Sequence, residues 1–277
     1  QQATYFGDPY QLSPIATSNS IAAKKWLRQD LFGVAQVTLA SAERRNANSC
    51  LLQEQFRMDG RISVIARKHV YDGKITDARD RPDDVRYDYI APEEGFPLVL
   101  VDTADGNPTT QRLFSSKVNE YHIQCALKCA TDALKSLPSR DLTSSLEEYQ
   151  RVGIVAPYSA QARRLQRALR EAKLDKQIRA GTIHKFQGLE FDAVVFDTVE
   201  SPQLPINFLR GGRMTDAMRL VNVATTRPKY KLIIVANMRW LRQQLGATDT
   251  LLLAAEEAAR ARLVMSESVI LARVTPR

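Results

Sequence analysis

Cysteine is scarce in this chain of 277 residues. Cys50, Cys125 and Cys129 are too few to form a disulfide framework. Long apolar runs are missing too, and none reaches the roughly 18 to 20 residues that a membrane-spanning helix needs. No basic-then-apolar leader opens the sequence. These absences give the expectation of a soluble protein in a reducing intracellular compartment, nuclear or cytoplasmic. Cys125 and Cys129 share a helix face, but a zinc site needs about four ligands and none stand nearby. They are expected as core thiols, and no metal site is expected. There is no internal repeat and no low-complexity tract.

What is present is ordinary in bulk and uneven in detail. An apolar content of 44% suits one large core or two modest ones. The net charge of +8 favours a polyanionic partner. Apolar segments at Leu98 to Val101, Arg151 to Ala156, Ala193 to Val199 and Lys231 to Ala236 read as strands buried on both faces. Between them lie patterns of helical spacing, at Arg61 to Tyr71, Ser115 to Leu137, Ala160 to Ala172 and Thr215 to about Thr226. Such alternation predicts an α/β fold with a parallel sheet covered by helices on both faces, and ligands at the carboxyl ends of the strands.

The stretch Gly181 to Asp192, GTIHKFQGLEFD, stands out between two strands. It offers donors, acceptors, a cation and, at its glycines, a point of close backbone approach, which suits phosphates or bases. A plain connecting loop is the alternative. Four more segments are similarly polar. Gly7 to Pro14, GDPYQLSP, follows an expected strand at Ala3 to Phe6, and its Gln11 amide both donates and accepts. In LLQEQFRMDGRI, Phe56 and Arg57 pair an aromatic with a cation, which fits a base and a phosphate; Phe56 and Met58 are equally suited to a core. The turn PYSAQ puts Tyr158 after a strand, and VNVATTR ends in Arg227. All five segments are expected at one edge of the sheet. The runs Ser41 to Ser49, Asp77 to Asp88 and the Ser/Thr/Glu-rich segment up to Tyr149 read as loops, and Asp249 to Met265 as a helix on propensity.

Taken together and in this order, the segments resemble the later motifs of superfamily 1 helicases, in the 5′→3′ branch that includes the nonsense-mediated-decay and DNA2-like enzymes. GDPYQLSP is similar to motif III, QEQFRM to motif IV, TIHKFQGLEF to motif V and NVATTR to motif VI. The resemblance covers roughly Tyr5 to Asn237. It implies a RecA-like second motor domain at residues 41–248, preceded at 1–40 by the end of a first such domain with a bridge, and followed at 249–277 by a helical tail.

The resemblance also implies roles. Gln11 would sense the γ-phosphate of ATP bound with Mg2+, Phe56 would stack near the adenine, and Arg57 and Arg227 would reach the phosphates. Glu190 would approach the ribose, with Gly188 beside it, and Thr182, Tyr158 and His184 would touch single-stranded DNA or RNA. The sequence departs from the family pattern in Pro228 after Arg227, in Leu189 and Phe191, and in the insert Arg210 to Ala217. No GxxxxGK[ST] phosphate loop occurs, and no acidic pair precedes GDPYQLSP. The chain is therefore expected to need an amino-terminal motor domain supplied elsewhere and to be inactive alone. The competing expectation is a non-catalytic nucleic-acid-binding module derived from a helicase.

Overall fold

Period-two alternation decides the layers of this molecule. Leu98 and Leu100 pack into one core and Val99 and Val101 into another, on opposite faces of the same strand. The computed structural model describes residues 4–13, 18, 20–26, 30–38, 49–78, 84–139 and 150–271. In chain order its strands are β1 (Glu54–Gln55), β2 (Thr76–Asp77), β3 (Leu98–Asp102), β4 (Gln111–Leu113), β5 (Ser116–Val118), β6 (Val152–Ala156), β7 (Ile178–Thr182), β8 (Phe191–Asp197), β9 (Pro228–Ala236) and β10 (Leu263–Met265).

Six of them form one sheet in the order β10-β3-β9-β8-β6-β7, and every pairing in it is parallel. Helices Gly60–His69, Asp216–Thr225 and Thr250–Ala261 bury their apolar stripes on one face. Helices Glu120–Ser136 and Ser159–Glu171 cover the other. The expected α/β architecture is present, and Cys125 and Cys129 lie buried in the second core. Side chains set the helix starts: Asp59, Asn119, Thr215 and Asp249 each accept a backbone N–H of the following turn.

Several expectations are corrected. Residues 4–8 form no strand, Tyr5 and Phe6 are exposed, and among the described residues no strand pairs with them. β7 was not anticipated, because an edge strand such as IRAGT needs no continuous apolar run. Ser116–Val118 is not the start of a helix but one arm of a hairpin with β4. The helix expected over Asp249 to Met265 ends at Ala261, and β10 follows it as an edge strand of the sheet beside β3. The Ser41 to Ser49 run, except Ser49, and residues 140–149 lie outside the described residues.

β9 carries an unusual burial. Lys231 is 1% exposed, and its ammonium donates to the carbonyls of Glu93 (2.8 Å) and Phe96 (2.6 Å). Burial is the main cause that lowers its pKa from 10.5 to about 7, against the opposing charges of Glu93 and Glu94. Between those values the unfolded chain holds the extra proton, so the contribution of this lysine to stability rises with pH from about 7 towards 10.5 and is poorest below about 7. The unfolding free energy of the unaltered chain minus that of Lys231→Met is expected to increase over that interval. A difference that stays flat with pH contradicts the assignment.

Candidate functional site

The polar segments separate to two ends of the sheet, which corrects the expectation that all five share the carboxyl edge. From Thr182, at the carboxyl end of β7, the short helix Ile183–Phe186 carries the chain back to Glu190, which precedes the amino end of β8. Arg227 immediately precedes β9. Part of the central stretch is core after all: Ile183 and Phe186 are fully buried. Phe186 closes over two glycines, and a Cβ on Gly153 would stand 2.7 Å from its ring. Gly188 ends this turn at φ +80°, a conformation that favours glycine.

At the amino ends of β8 and β9 the cations gather. Arg57 donates to Glu190 Oε1 (2.7 Å) and to the Thr226 carbonyl (3.1 Å). Arg227, 1% exposed, donates to the carbonyls of Val223 (3.0 Å) and Leu189 (3.2 Å) and to Thr226 Oγ1 (3.1 Å). Both guanidinium groups thus meet at one residue. Lys229 approaches the other Glu190 oxygen at 3.2 Å. Partial burial pushes the Glu190 carboxyl up, but the hydrogen bonds and charges of Arg57 and Lys229 outweigh it and hold the group below the usual carboxylate range. Burial, then the charge of Arg57, lowers the Arg227 pKa to about 10. Two cations, Arg57 and Lys229, hold the Glu190 carboxylate, Arg227 lies beside them at Thr226, and Phe56, 66% exposed, stands next in sequence to Arg57. Among the described residues no group of three or more His, Cys, Asp or Glu could hold a metal.

The loop with Gln11 docks over this end. Tyr71 donates its hydroxyl to Asp8, Asn222 donates to the Tyr10 carbonyl (2.9 Å), Arg219 to that of Pro9 (3.2 Å) and Gln187 to that of Leu12 (3.1 Å). Gln11 itself donates to Asp8 Oδ2 at 3.1 Å. Tyr71, Arg219 and Lys229 were not singled out in the sequence, where each is a polar letter within or beside a helix or strand; Asn222 lies in NVATTR but was given no role there.

The carboxyl end of the sheet is different. Thr182 begins the short helix without a side-chain capping bond, and half-buried His184 is held below its ordinary pKa by burial, hence neutral at pH 7. The Tyr158 hydroxyl donates to Glu200, which also accepts from Lys117 (2.7 Å), so Tyr158 offers a ligand its ring or an accepting oxygen but no proton. That ring lies 5.8 Å from Phe208. Burial, followed by the Glu200 charge, pushes the Tyr158 phenol well up.

The family follows from comparison of this arrangement with known proteins. A family model described as "AAA domain" matches residues 35–239, most of the chain. The chain belongs to that family, within the superfamily 1B helicases of the nonsense-mediated-decay group. It is 28% identical over 241 residues to Helicase sen1 of Schizosaccharomyces pombe, covering 85% of this chain and 13% of that protein. It is also 28% identical over 253 residues to the Regulator of nonsense transcripts 1 homolog of Drosophila melanogaster, covering 88% and 19%. An uncharacterized ATP-dependent helicase of Methanocaldococcus jannaschii is 28% identical over 244 residues, covering 86% and 32%. The chain thus spans less than a third of the length of these relatives.

Proposed function

We propose that this helicase-family domain is the second motor domain of a 5′→3′ ATP-dependent helicase. The convergence of Arg57 and Arg227 on Thr226 carries the reading. Loop 7–12 is the last part of the first motor domain and residues to 40 are the bridge. ATP sits on a phosphate loop in that first domain, and the cation cluster of this chain faces its phosphates. The metal that accompanies ATP would neutralise phosphate charge, and among the described residues of this chain no carboxylate or histidine cluster would hold it.

What this chain supplies is charge and position. Phosphoryl transfer is catalysed mostly by neutralising developing charge, and an arginine in that role contributes roughly 10³ to 10⁵ in rate, about 4 to 7 kcal/mol. Arg57 reaches the phosphates by leaving Glu190, which passes to Lys229 and the ribose; Phe56 stacks on the adenine, and Gln11 reads the γ-phosphate. Gly188 lets the turn before Glu190 approach the nucleotide. Single-stranded DNA or RNA crosses the carboxyl ends at Tyr158, Thr182 and His184, so nucleotide and strand occupy opposite ends of one rigid sheet. Domain closure around ATP then moves the strand-holding end as a unit.

Tested alone, the chain is expected to bind labelled single strands weakly, more weakly still as salt rises, and to hydrolyse no ATP. Turnover by the isolated chain that Arg227→Ala abolishes contradicts the division of labour.

A further inference from the structure

Between β4 and β5 the hairpin turns on two residues, Phe114 and Ser115, since Leu113 pairs with Ser116. Phe114 occupies the left-handed region at φ +55° and is 89% exposed. Both features oppose folding. Turns of this kind favour Asn or Gly, a bulky residue there costs on the order of 1 kcal/mol, and the exposed ring gains nothing from burial. The folded chain leaves this ring open to a partner.

The surroundings indicate the partner's chemistry. The hairpin is mounted rigidly beside the Tyr158 turn: Ser116 Oγ accepts from the backbone of Ala160 (3.1 Å), and Lys117 is anchored through Glu200 and Pro205 with its ammonium 5.2 Å from the centre of the Tyr158 ring. Arg112, exposed, pairs across the hairpin with Lys117. An exposed aromatic two residues from an exposed cation, on a hairpin whose Lys117 lies over a second aromatic, matches the chemistry of bases and phosphates along a single strand.

We propose that Phe114 stacks on an unpaired nucleobase and that Arg112 pairs with a neighbouring phosphate, extending the strand path beyond Tyr158 to the hairpin tip. The inference rests on the nucleic-acid reading above. The test uses the full chain with fluorescein-labelled oligothymidylate and an abasic strand of equal length. Phe114→Ala is expected to weaken oligothymidylate binding roughly 5- to 100-fold, to leave abasic-strand binding unchanged, and to leave the melting temperature unchanged because the ring is exposed. Phe114→Trp is expected to retain binding and to show fluorescence quenching by oligothymidylate beyond that of the unaltered chain. Equal affinity of Phe114→Ala for oligothymidylate, or an equal loss on the abasic strand, overturns this inference alone. Absence of binding by the unaltered chain to either strand overturns the nucleic-acid reading and this inference together.

Discussion

Replacing Arg57 by alanine, in a protein that joins this chain to a phosphate-loop domain, is expected to lower ATP turnover about 10³-fold or more while leaving stability within about 1 kcal/mol. The asymmetry follows from its position. Its side chain is 33% exposed, and its partner Glu190 keeps Lys229 when the arginine is removed. Arg227→Ala is expected to lose turnover to a similar degree and stability as well. It strips hydrogen bonds from Val223, Leu189 and Thr226 at a site that water barely reaches. Because both groups act on the same charge, the double substitution is expected to cost little more than either alone. Steady-state turnover with unfolding curves for all three variants checks the set. Arg57→Ala with near-normal turnover contradicts the role given to it.

The second large effect concerns a buried polar network behind the strand-binding end. Asp197, 0% exposed, accepts from Gln161 Nε2 (2.6 Å) and the Val199 backbone (2.9 Å) and pairs with His122 Nδ1 at 3.0 Å. His122 continues to Thr103 (3.0 Å), and Asn119 ties the start of its helix to Gln161 and Ser201. Helices Glu120–Ser136 and Ser159–Glu171 are fixed to the end of β8 through these groups. Asp197→Ala leaves those donors facing a void and is expected to destabilise the chain by about 3 to 5 kcal/mol. Asp197→Asn, which keeps an acceptor, is expected to lose clearly less. Denaturant unfolding of both variants measures this, and a loss under 1 kcal/mol for alanine contradicts the network as a structural anchor.

The sheet was legible because its inner strands are continuous apolar runs, as at Leu98 to Val101 and Leu232 to Ala236, and burial on both faces explains such runs. Edge strands were not. β7 and β10 each bury part of their residues, and their letters fit a loop or a helix as well. Of the motif residues, Arg57 contacts Glu190, and Arg57 and Arg227 both contact Thr226. Their location was not legible, because the reversal through Ile183–Phe186 is short and moves Glu190 from one end of the sheet to the other. Polar residues that work inside the fold stayed hidden for one shared reason. Asp197 and Lys231 lie inside runs read as buried and Asn222 inside a motif, but the letters alone do not show which acceptors and donors satisfy them.

The most direct measurement is a structure of the two-domain protein with a single strand and ADP carrying a γ-phosphate mimic such as beryllium fluoride. The account predicts the guanidinium groups of Arg57 and Arg227 both within about 3 Å of the mimic's oxygens or fluorines, with Arg57 released from Glu190. A mimic bound while Arg57 stays on Glu190 and Arg227 keeps only its present acceptors would contradict it.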